Sequence, residues 1–100
     1  MTQKELALSF IDKLNNHQYD VLYKFFTRDT KVYLINEDKE ISCGEFVDSI
    51  SRYNDIRFEI IRELESKICF KVETKVNSKQ VNFFFDVKSR RIVRLEVEVI

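Results

Sequence analysis

From Asp55 to the end of the chain, apolar residues recur at every second position. Ile56, Phe58 and Ile60 alternate with Arg57 and Glu59; Ile68, Phe70 and Val72 alternate with Cys69, Lys71 and Glu73. Val81, Phe83, Phe85 and Val87 alternate with Asn82, Phe84 and Asp86; Val93, Leu95, Val97 and Val99 alternate with Arg94, Glu96 and Glu98. Successive strand side chains point to opposite faces of a sheet, so each set predicts a strand with one face set apart from the other. The polar breaks at Glu65-Ser66, Asn77-Ser78-Lys79 and Lys88-Ser89-Arg90 are too short for crossovers, which makes the four strands a meander of antiparallel hairpins. Charged alternate positions give the sheet one face for water or for a polar partner.

The first half has a different period. Leu6, Phe10, Ile11 and Leu14 share one helical face, and Thr2 with Glu5 forms a capping box at its start. Asn15-Asn16-His17 interrupts, and a second short helix is expected over residues 18–26 with Leu22, Phe25 and Phe26 inward. The β-branched and aromatic run from Lys31 to Ile35 predicts a strand, and Asn36-Glu37-Asp38-Lys39 a turn. Ser42 and Glu45 form a second capping box before a helix over residues 43–53, with Phe46, Val47 and Ile50 inward. Helices first and strands last, without βαβ alternation, define an α+β fold. The helices must cover the sheet, because Phe58, Phe70, Phe83 and Phe85 would otherwise form an aggregating patch.

One hundred residues make one domain, residues 1–100. Seventeen basic side chains balance seventeen acidic ones, which argues against a nucleic-acid partner bound by phosphate neutralisation. The halves differ slightly: 6 basic against 9 acidic residues up to Ile50, then 11 against 8. No apolar run approaches the roughly 20 residues that span a bilayer, and the polar start is no secretory signal, so no membrane partner is expected and a cytoplasmic protein is. A single glycine, Gly44, cannot build a phosphate-binding or dinucleotide loop. Two cysteines and one histidine offer no metal site, and no cofactor is expected.

Three segments, taken in order, resemble the nuclear transport factor two-like superfamily, which includes SnoaL-like proteins and ketosteroid isomerases. LALSFIDKLNNHQYDVLYKFFTRDTKVYL is similar to its opening helix pair and first strand, ISCGEFVDSI to its third helix, and FFFDVKSRRIVRLEVEV to its closing hairpin. The resemblance implies three N-terminal helices packed on a curved, mainly antiparallel sheet, a cystatin-like, cone-shaped α+β roll enclosing a cavity. It also implies a homodimer paired through the outer sheet face. Isomerase members carry an Asp general base and an oxyanion hole of Tyr and protonated Asp. The matching positions here are Leu34 for the base, Phe10 for the tyrosine and Asn82 for the buried acid. Neither Leu34 nor Phe10 can move or donate a proton, and Asn82 can only donate a hydrogen bond.

No catalytic residue is assigned. The candidate pocket lining is Phe10, Leu14, Tyr33, Leu34, Asn82, Phe84 and Asp86. Asn82 and Asp86 lie four residues apart on one strand face, about 13 Å by strand rise; the simpler expectation has Asp86 ending the strand in water. His17 could act as an acid or base but sits in a turn. Cys43 opens a helix, where a thiolate is favoured, yet has no evident base; Cys69 reads as a strand side chain. Tyr19, Tyr23, Tyr33 and Tyr53 could reach a ligand with their hydroxyls but suit a core edge equally. The leading expectation is a non-catalytic homodimeric domain, with or without a small hydrophobic ligand between helices and sheet. The alternatives are a small isomerase, lyase or cyclase using Tyr33, Asn82 and Asp86, and a protein-interaction module. The module would use the outer charges Lys71, Glu73, Lys75, Arg94, Glu96 and Glu98.

Overall fold

The amphipathic segments assemble as three helices against one face of a six-stranded sheet. The computed structural model describes residues 3–52, 57–63, 67–73 and 78–100, excepting the side chains of Gln3, Glu63 and residues 67–73. The expectations at Thr2, Tyr53, Asp55, Ile56, Glu65-Ser66, Lys75 and Asn77 fall outside these residues, as do those for the side chains of Ile68, Cys69, Phe70, Lys71, Val72 and Glu73. The helices are α1 (Gln3–Asn15), α2 (Tyr19–Leu22) and α3 (Cys43–Ser51). The strands are β1 (Phe26–Leu34), β2 (Lys39–Ser42), β3 (Arg57–Glu63), β4 (Lys67–Glu73), β5 (Ser78–Lys88) and β6 (Arg91–Val99). Their order across the sheet is β2-β1-β6-β5-β4-β3. The expected meander is present, each neighbouring pair from β3 to β6 antiparallel. The β1–β6 pair is parallel, joining the first strand to the last.

Three boundaries differ from expectation. The second helix stops at Leu22 and tightens into a 3-10 turn, Tyr23–Phe25. The first strand begins at Phe26 rather than Lys31. Its register with β6 slips between those two residues, and the polar Thr27, Arg28, Asp29 and Thr30 hide the strand pattern there. Thr30 is buried in that irregularity: its Oγ1 accepts from the Thr27 N–H at 2.8 Å and donates to the Ile92 carbonyl at 2.7 Å. β2 was not expected: the turn was placed at residues 36–39, and Ile41 alone of the four residues of β2 is buried, too little signal for a strand.

The capping box at Ser42 holds: its hydroxyl accepts the Glu45 N–H at 3.1 Å and starts α3. α1 ends as expected in Asn15-Asn16-His17, where His17 turns left-handed at φ 56°. α1 buries Leu6, Ala7, Phe10, Ile11 and Leu14, and α3 buries Phe46, Val47 and Ile50. Both meet the apolar face of β5. Phe10 contacts Phe85 edge to face at 6.0 Å, and Phe46 contacts Phe83 at 6.2 Å. Each fully buried Phe or Leu contributes about 1.5–3 kcal/mol of transfer free energy, so this layer drives the fold.

Two asparagine side chains extend the sheet where strands run out. Asn15 Nδ2 donates to the Phe58 carbonyl at 2.8 Å, and the Phe58 N–H donates to Asn15 Oδ1 at 2.7 Å. The amide acts as one residue of an extra strand beside the edge strand β3, pinning the end of α1 to it. Asn36 does the same at Val99, with both bonds at 2.7 Å, one step beyond the Leu34–Val97 pair of the parallel β1–β6 ladder.

Candidate functional site

β5 alternates strictly, so the sheet divides the candidate residues between two surfaces. Val81, Phe83 and Phe85 face the helices and are buried. Phe10 and Leu14 join them from α1, both fully buried, and Leu34 packs half-buried against the same cluster. Phe10 is ringed by Phe25 at 5.7 Å, Phe26 at 5.5 Å and Phe85 at 6.0 Å, all edge to face. Phe83 meets Phe58 at 5.9 Å and Phe85 at 6.0 Å. The rings that line this interior are in van der Waals contact with one another, and none of them can ionise.

Asn82, Phe84 and Asp86 occupy the opposite face of β5, and Tyr33 the same outer face of β1. The Leu34, Phe10 and Asn82 positions therefore do not converge: the sheet lies between the first two and the third. Asn82 is only 5% exposed. Its Nδ2 donates to Glu98 Oε1 at 3.0 Å, while its Oδ1 has no partner among the described residues.

A charged cluster occupies the outer face over β2, β1 and β6. Arg94 donates from Nη1 to Glu40 Oε2 and from Nε to Glu96 Oε2, both at 3.3 Å. Its guanidinium sits 5.4 Å above the Tyr33 ring, and the Tyr33 hydroxyl donates to Asp38 Oδ1. That bond to Asp38, then desolvation and the nearby carboxylates, raise the Tyr33 pKa above its usual 10.0, with Arg94 opposing. The hydrogen bond to Glu96 and then that to Glu40 raise the Arg94 pKa, against partial desolvation. Beside the cluster a shallow depression of about 150 Å³ is lined by Phe84, Phe85, Asp86, Arg94 and Glu96. Phe84 and Asp86 thus share a recess on the outer face, apart from the helix-covered interior. Glu40 and Asp38 were missing from the sequence-derived candidates, because their roles depend on β2 and its register with Tyr33.

The remaining candidates are scattered. His17 Nδ1 lies 2.6 Å from the Tyr19 hydroxyl in an exposed turn. Tyr19 packs against the core, and burial raises its pKa. Tyr23 is 46% exposed. Cys43 is a free, half-buried thiol at the start of α3. Among the described residues no group of His, Cys, Asp and Glu could hold a metal ion, and no helix is long and apolar enough to cross a membrane.

No protein-family model matches the sequence, and no curated protein does. Solved structures match almost the whole chain. A proposed ketosteroid isomerase from Kribbella flavida superposes with a TM-score of 0.84 over 98% of this chain and 77% of its own, at 13% identity. A nuclear transport factor two-like protein of unknown function from Cytophaga hutchinsonii gives 0.80 at 12% identity, covering 100% and 91%. A SnoaL-like polyketide cyclase from Agrobacterium tumefaciens gives 0.73 at 18% identity, covering 100% and 92%. The chain has the nuclear transport factor two-like α+β fold; identities this low speak for the fold alone.

Proposed function

We propose that this protein is a non-catalytic, cytoplasmic homodimeric scaffold that pairs through the outer face of its sheet. One observation carries the reading: the helix-facing side of β5 is Val81, Phe83 and Phe85, closed by Phe10, so no proton donor or acceptor faces the helices from that strand. An isomerase or cyclase of the kind named among the structural neighbours needs a base and an oxyanion donor converging on one pocket. Tyr33, Asn82 and Asp86 would have to supply them, from a face that is open around Asp86. A small hydrophobic ligand would need space beside the packed rings of Phe10, Phe83 and Phe85, none of which is more than 4% exposed. The outer face suits a second copy instead, because the half-buried Phe84 offers an apolar residue to bury beside charges that Arg94, Glu40 and Glu96 already pair within the chain.

Light scattering across a concentration series tests the dimer. The expected result is a dimer for the wild type and a monomer with an unchanged circular dichroism spectrum for Phe84→Lys. A wild type that stays monomeric at high concentration overturns the proposal. Native mass spectrometry with a panel of apolar metabolites should give no stoichiometric adduct; a saturable one restores the ligand-binding reading.

A further inference from the structure

At one end of the sheet, two chain segments, residues 23–30 and the β5–β6 hairpin tip, bring cations together. The 3-10 turn Tyr23–Phe25 carries Lys24, the irregular stretch 27–30 of β1 carries Arg28, and the β5–β6 hairpin tip carries Lys88, Arg90 and Arg91. Hydrogen bonds hold the segments side by side: Arg91 Nη1 donates to the Phe26 carbonyl at 3.3 Å, and Thr30 Oγ1 to the Ile92 carbonyl at 2.7 Å. All five cations are exposed, and none is in an ion pair among the described residues. Asp29 is the one acid within these segments, which leaves a local charge of +4 on a chain whose formal net charge is zero.

The hairpin tip adds an independent observation. Ser89 and Arg90 both have positive φ, 51° and 63°. A two-residue hairpin loop of this kind favours Asn-Gly, because left-handed backbone is strained for residues with a Cβ. Here the turn presents a guanidinium outward from the position where the backbone favours glycine.

We propose that this basic end docks an acidic segment of a partner protein. Guanidinium groups pair bidentately with carboxylates, and three of the five cations are arginines. A membrane surface is the poorer fit, since stable adsorption also needs several apolar side chains to bury, and Tyr23 is the one exposed aromatic residue of these segments, beside the polar Lys88, Ser89, Arg90 and Arg91. Nucleic acid is the poorer fit too, because the cations gather at one end rather than along a groove that tracks a backbone. This surface is separate from the outer-face dimer seam and does not depend on it.

Fluorescence anisotropy with a labelled Glu-rich peptide tests the inference on the whole chain, with a labelled DNA duplex and phosphatidylglycerol-containing vesicles as competing probes. The peptide should bind, with affinity falling as salt rises and about threefold for each cation removed in Lys24→Gln, Arg28→Gln and Arg90→Gly. Lys39→Gln, on β2, should bind as the wild type does. Arg90→Gly separates docking from folding: it relieves the left-handed strain, so its melting temperature should hold or rise while its affinity falls. Absence of peptide binding overturns the inference, and so does binding indifferent to these substitutions. Tighter binding to the duplex or the vesicles than to the peptide also overturns it.

Discussion

The asparagine at the end of α1 offers the sharpest test of how this fold is fastened. Asn15→Ala removes both bonds between the side-chain amide and Phe58, at 2.8 and 2.7 Å. Each such bond has a net worth of about 0.5–1.5 kcal/mol, so the pair contributes about 2 kcal/mol. The site is part-buried, and water reaching the edge of β3 keeps the loss near that central value. Alanine recovers about 0.5 kcal/mol through its better helix propensity. The expected net destabilisation is about 1.5 kcal/mol, a fall of about 6–12 °C in melting temperature for a domain of this size. Urea unfolding followed by circular dichroism gives the free energy, and hydrogen exchange should show faster loss of the Phe58 amide proton. Asn15→Asp is the control: it retains an acceptor for the Phe58 N–H but sets a carboxylate against the Phe58 carbonyl and the helix C-terminus, so it should be at least as harmful as alanine. Stability within about 0.5 kcal/mol of wild type for both variants, with Phe58 exchange unchanged, would show that the amide is not a fastening.

Other measurements probe the interior and the outer face. Phe10→Ala empties the centre of the aromatic cluster and should cost about 3–5 kcal/mol, enough to leave a marginal domain partly unfolded in thermal melts. Tyr33 should ionise above pH 10.0 in an absorbance titration, and Asp38→Ala should bring it back toward that value. The sign follows from linkage: a phenol whose folded pKa is raised adds stability that is complete below its unfolded pKa and lost as pH rises through the folded one. Tyr33→Phe should therefore flatten the alkaline limb of stability above pH 10 and lower stability at neutral pH, where the bond to Asp38 is intact, so that the two proteins converge as the phenol ionises.

The second half of the fold is legible because period-two alternation is a direct image of a pleated sheet, and Phe83 and Phe85 against Asn82 and Phe84 give it without ambiguity. α1 and α3 are legible for the corresponding helical reason, and Ser42 marks the start of α3 by its cap. β2 and the first half of β1 are not legible, because their stability is borrowed. Ile41 is the single buried residue of β2, and Thr30 earns its burial through hydrogen bonds to Thr27 and Ile92 that no local pattern encodes. The asparagine clamps are hidden for the same reason: Asn15 and Asn36 read as turn formers, and their partners lie 43 and 63 residues away.

The candidate site was harder to read than the fold because alternation separates two faces without naming which one the helices cover. Asn82 and Asp86 share a face on any register, and that much was fixed by their spacing. Whether the face looks inward depends on which set of β5 residues meets Phe10, and long-range packing decides it. Burying Phe83 and Phe85 gains the transfer energy of two aromatic rings, whereas burying Asp86 would impose the desolvation of a carboxylate without a paired cation. Energetics therefore selects the orientation with Asp86 outside, across from Arg94. The same choice turns the polar strand face with Arg94, Glu96 and Glu98 away from the helix-covered interior, where Leu95 and Val97 of the same strand are buried, and toward the surface.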